Sequence, residues 1–86
     1  MPEICRFLGI VIAMYYSDHA PPHFHVRYTH HRASFALDPL RLMDGSLPPR
    51  VLGLVVEWAS LHALELREDW ERAAKAEPLK RIDPLR

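Results

Sequence analysis

Apolar residues run almost unbroken through FLGIVIAMYY at positions 7–16, return in alternation after a gap, then settle into three- and four-residue spacing. The first run is rich in β-branched and aromatic residues and predicts a strand over 7–16. Both of its alternating sets are apolar: Phe7, Val11, Ala13 and Tyr15 against Leu8, Ile10, Ile12 and Met14. Such a strand is expected to be covered on both faces, by the fold on one side and by another protein on the other. SDHAPP, at 17–22, breaks the pattern, because proline donates nothing to a ladder and the residue before it avoids the α region. Alternation resumes over 23–30, with Phe24, Val26 and Tyr28 toward one face and His23, His25, Arg27 and Thr29 toward the other.

A third strand is expected around Ala33–Leu37, and a short fourth extended piece through Leu40–Met43. DGS at 44–46 predicts a turn, with Ser46 as a cap and Pro48 and Pro49 opening a helix. From there to about Ala76, the residues Val51, Leu54, Val55, Trp58, Leu61, Leu66 and Trp70 form one broad apolar stripe, so a single long helix is predicted. His62 sits near the centre of that stripe, where a hydrogen-bonded core histidine and a member of a histidine site are both open readings. Asp69 also falls near the stripe's centre, so the helix is expected to bend or leave the sheet after about Glu65. Strands followed by one helical block predict an α+β fold: a small antiparallel sheet of three to four strands followed by a long C-terminal helix packed on one face, in a single domain over 1–86.

Composition narrows the classes. With 49% of its 86 residues apolar, the chain can build a core, yet a domain of this size is marginal and gains from self-association or a standing partner. Eleven basic and eleven acidic side chains cancel, so no global field draws the chain to nucleic acid or membrane, and such binding needs a local patch. A lone cysteine, Cys5, excludes an internal disulfide and a cysteine-based zinc site, and fits a reducing cytoplasm. The run at 7–16 is too short to span a bilayer and lacks the basic leader and cleavage site of a signal peptide. The chain therefore reads as a complete small cytoplasmic protein.

The stretch MPEICRFLGIVIAMYYSDHAPPHFHVRY, with LPPRVLGLVVEWASLH and PLKRIDPL, resembles a family of small bacterial proteins, the domain of unknown function DUF4160. The signature that carries the resemblance is Asp-His-x-Pro-Pro-His-Phe-His, here Asp18–His25. The resemblance implies a gene arrangement in pairs like those of toxin–antitoxin modules, with a second small protein as partner. It implies no settled activity. Where the family commonly carries glycine and an acidic residue after the second strand, this chain has Thr29, His30, His31 and Arg32. A mechanism that needs an acid there is weakened.

Three readings of the histidines remain open. In the first, His19, His23 and His25 move protons and Arg27 steadies a phosphate, with Lys80 and Arg81 adding contacts from the tail and Tyr15 and Tyr16 lining the pocket. That is metal-independent RNA cleavage or RNA binding, with no cofactor, because imidazole titrates near neutrality and serves as acid and base. In the second, His19, His23 and His25 hold a metal ion with Asp18 as an oxygen ligand, giving a metal-binding protein or a metal-dependent hydrolase. In the third, the imidazoles bond loop carbonyls or form a patch for an acidic partner. The leading expectation is an interaction component of a two-protein, toxin–antitoxin-like module, as a homo-oligomer or hetero-complex, with RNA as its candidate substrate and no membrane contact.

Overall fold

The apolar run at 7–16 does not stay one strand. In the computed structural model, which describes residues 2–85, it is divided by a tight turn into β1 (Glu3–Phe7) and β2 (Ile10–Ala13). Leu8 and Gly9 carry the turn with φ of 50° and 78°, and Phe7 pairs with Ile10. Two central residues with positive φ match the right-handed twist of the flanking strands, and Gly9 adopts that backbone without steric cost. The apolar Leu8, 71% exposed at the tip, is what disguised the turn.

β3 (His23–Tyr28), β4 (His31–Leu37) and β5 (Leu40–Gly45) complete a five-stranded antiparallel meander in the order β1-β2-β3-β4-β5. The sheet thus has five strands where three to four were expected. β3 ends at Tyr28 because Thr29 takes φ of 51° and turns the chain with His30, while His31 and Arg32 already belong to β4. At the end of β5 a Cβ on Gly45 would lie 2.0 Å from the Arg32 carbonyl oxygen, and its φ is 80°, so only glycine fits.

The helical block is two helices, α1 (Pro49–Leu61) and α2 (Ala63–Ala74), not one. Pro48 occupies the N-cap, with no side-chain cap bond, so Ser46 does not cap the helix. His62 leaves helical geometry with φ of −118° and ψ of 27°, which places the bend three residues before Glu65. Its Nδ1 lies 2.5 Å from Glu65 Oε1 and its ring packs against Trp58, so it joins no strand histidine. Across the bend the buried face continues: Val51, Val55, Trp58 and Ala59, then Leu66, Asp69 and Ala73. Leu61, placed on the stripe by its spacing, is 67% exposed because it sits at the bend.

The helices cover one sheet face. Ile10, Ile12, Phe24, Val26 and Phe35 meet Val51, Val55 and Trp58 there, with Phe24 and Phe35 stacked at 5.4 Å. Both faces of β2 are buried, as its composition required. The other sheet face carries two cross-strand rows: Ala13, His25, Ser34 and Asp44, and beside it Val11, Arg27 and Arg32. The tail closes the far edge, where Ile82 N–H donates to the Ile4 carbonyl and Trp58 Nε1–H to the Asp83 carbonyl, each at 2.8 Å. No helix among the described residues is long and apolar enough to cross a membrane.

Candidate metal centre

The connection from β2 to β3, residues 14–22, is pinned at three points. Met14 N–H donates to the Pro2 carbonyl, Ser17 N–H to Ala73 of α2, and the Pro22 carbonyl accepts from Leu37 N–H of β4. These ties carry Asp18 over the start of β3. The period of two along β3 places His23 and His25 on one side of the strand, with ring centroids 4.9 Å apart.

The Asp18 carboxylate organises everything nearby. One oxygen, Oδ2, lies 3.0 Å from His23 Nε2 and 3.0 Å from His25 Nε2. The other, Oδ1, accepts from the His19 backbone N–H at 2.9 Å and meets His19 Nδ1 at 2.8 Å. Burial works against its charge, but hydrogen bonds from His25 and His19 and the proximity of His23 outweigh that and hold the carboxyl well below the usual carboxylate range. Asp18 is therefore ionised at neutral pH.

Each of the two strand imidazoles has a partner on its other nitrogen. His23 Nδ1 is 2.7 Å from the Pro21 carbonyl oxygen, which can only accept, so Nδ1 carries a proton and donates it. His25 Nδ1 lies 3.4 Å from Ser34 Oγ. The His23 side chain is 2% exposed and packs 5.3 Å from the Trp70 ring, whereas that of His25 is 27% exposed and packs 4.3 Å from the Tyr15 ring. Solvent therefore reaches the cluster from the His25 side. His19 is 79% exposed, hydrogen-bonded to Asp18, with its ring 5.2 Å from that of His23.

Of the residues singled out by sequence, His19, His23, His25 and Asp18 converge. Arg27 stands one step along the same strand face and lines a groove of about 170 Å³ that His25 and Tyr15 also line. Arg81 instead pairs with Glu3 Oε2 at 3.1 Å, and the Lys80 backbone N–H donates to Asp69 at 2.9 Å. No contact among the described residues ties these two tail cations to the histidines. Tyr16 is exposed on the loop, next to Tyr15. Sequence reasoning passed over Ser34 and took Trp70 for stripe packing alone; their contacts with His25 and His23 depend on β3–β4 pairing and on α2 packing.

Nε2 of His23, Nε2 of His25 and a carboxylate oxygen of Asp18 make a two-histidine, one-carboxylate donor set, all within 4.8 Å of one another. A tetrahedral ion with bonds of ~2.0–2.1 Å holds its ligands ~3.3 Å apart, close to the two 3.0 Å distances from Asp18 Oδ2 to the imidazole nitrogens. The fold and this cluster define a class: a small meander sheet backed by two helices, with a histidine–aspartate site at the mouth of β3. A family model matches residues 9–71, and the chain belongs to that family, DUF4160, a domain of unknown function. The matched span contains every donor of the cluster as well as Ser34 and Trp70, and leaves β1 and the tail outside. No curated protein and no solved structure matches the chain.

Proposed function

We propose that this protein binds one divalent transition-metal ion through His23 Nε2, His25 Nε2 and Asp18 Oδ2, and uses it to activate water for hydrolysis. The observation that carries the reading is the donor accounting around His23. Its Nδ1–H is committed to the Pro21 carbonyl, so in the neutral ring the Nε2 lone pair faces an ionised carboxylate oxygen at 3.0 Å. Two lone pairs at that distance repel, and a cation between them turns the repulsion into coordination. The supporting partners that orient metal-bound histidines are also here, a backbone carbonyl for His23 and the Ser34 hydroxyl for His25. Three protein ligands leave positions open for water, as catalytic sites require, and imidazole with carboxylate suits zinc or ferrous iron.

A metal-free reading has its own support. Asp18 holds the exposed His19 by Nδ1, which is how a carboxylate orients a general base with no ion in the cluster. In that form the protein cleaves RNA by acid–base chemistry, with His19 as the working imidazole. The two readings separate on metal stoichiometry. Calorimetric titration with zinc and cobalt(II) should give one bound equivalent, lost in His23→Ala and His25→Ala and kept in His19→Ala. Failure of the wild-type protein to bind either ion sinks the metal reading, and chelator-insensitive RNA cleavage abolished by His19→Ala then establishes the other.

A further inference from the structure

Arg27 and Arg32 face each other directly across β3 and β4 on the uncovered side of the sheet. Like charges in that position oppose strand pairing. Four other arginines have carboxylate partners: Arg6 and Arg81 meet Glu3, Arg67 meets Asp38, and Arg72 meets Asp69. Among the described residues, no carboxylate forms an ion pair with Arg27 or Arg32. Arg41 and Arg50 also lack ion pairs and are exposed; Arg27, half-buried, and Arg32, exposed, differ from them in lining one groove together.

That groove is a built concavity. Val11 and Ala13, both buried, form its floor, and His25, Ser34 and Tyr15 complete the wall nearest the metal centre. The groove's one acid, Asp44, turns a carboxylate oxygen back to its own strand, accepting from Gly45 N–H at 2.9 Å. Two guanidinium groups against one acid leave a net positive lining beside a ligand of the proposed centre. His25 and Arg27 are two residues apart on one strand, a span of ~6.6 Å. A group held by the arginines therefore sits in the groove that His25 also lines.

We propose that the groove binds a phosphate group through Arg27 and Arg32, which makes a phosphate ester the substrate class of the His23–His25–Asp18 centre. The inference rests on the metal reading for the chemistry and on the arginine pair for the recognition. Guanidinium groups suit this ligand because their forked donors match phosphate oxygens two at a time, and the anion relieves the repulsion across the strand pair.

The test is calorimetric titration of inorganic phosphate into the purified protein at low ionic strength, with chloride as the ionic-strength control. One equivalent should bind saturably, and Arg27→Gln and Arg32→Gln should each weaken binding about tenfold or more, the scale of a lost charge-assisted bond. Metal stoichiometry should stay unchanged in both variants. In phosphate-free buffer both should keep or raise the thermal midpoint, since each removes a like-charge contact. Phosphate binding that ignores both substitutions, or vanishes only in His23→Ala, overturns the inference, because the anion then sits on the ion and not on the arginines. Absence of saturable binding overturns it too. Arginine-dependent phosphate binding in a protein that takes up no metal upholds the phosphate pocket while the metal reading falls.

Discussion

At the scale of single residues, the site depends on which nitrogen of His25 is free. The proposed coordination through Nε2 requires the proton on Nδ1, where Ser34 Oγ, 3.4 Å away, is the atom placed to accept it. Ser34→Ala removes that acceptor and changes no ligand. We expect zinc affinity to fall about tenfold, the usual scale for losing such a supporting bond, with the fold intact. Nitrogen-15 shifts of the His25 ring should show the tautomers mixing in the variant. Unchanged affinity would mean that Ser34 plays no part in orienting the ligand. The H-x-H spacing of His23 and His25 was readable because a strand repeats every two residues. The role of Asp18 was readable only as an oxygen ligand in one of several alternatives, since its approach depends on Ser17 reaching Ala73 and Pro22 reaching Leu37, contacts no local pattern encodes. Ser34 was invisible for a related reason. It meets His25 only through a register set by the turn at Thr29–His30, which has weak turn chemistry.

At the scale of elements, the same contrast between local and non-local determinants explains the hairpin and the helices. Gly9 marks the first turn, yet Leu8 beside it made the segment read as continuous strand. Asp69 is a polar residue on an apolar stripe, and the structure buries it there. Fully buried on α2, it ties down the tail: Oδ1 accepts from Lys80 N–H at 2.9 Å and from Arg72 at 3.0 Å. The carboxylate on the buried face thus explains why the stripe continues past the bend. Asp69→Ala strands the Lys80 donor and the Arg72 charge, and should cost ~1–3 kcal/mol in denaturant unfolding. Asp69→Asn keeps an oxygen for Lys80 and should cost less. Amide exchange at Lys80 and Ile82 should accelerate in the alanine variant before exchange in β3 does, because the tail is released first. Simultaneous acceleration throughout would show Asp69 serving the whole core and not the tail.

At the scale of the whole molecule, the two ends of the chain meet. Glu3 on β1 accepts from Arg6 at 2.7 Å and from Arg81 of the tail at 3.1 Å, beside the bond from Ile82 to the Ile4 carbonyl. The β1 edge is thereby covered by the tail, which removes an open template for another strand. The pair of guanidinium groups, Arg6 foremost and Arg81 next, lowers the Glu3 carboxyl from its ordinary 4.5 to about 2. A carboxylate depressed by folding contributes stability above its unfolded value and loses it as pH falls through its folded value. Comparison of the wild-type protein with Glu3→Gln isolates this contribution. The wild type should melt at the higher temperature above pH 4.5, and the gap should close as pH approaches about 2. The gap should also shrink in high salt, because the groups are solvent-facing and their attraction is screened. A gap that stays constant down to the acid limit would mean that the ends are joined by the backbone bond and the packing of Ile82 alone. The charge clamp would then contribute nothing to closing the sheet.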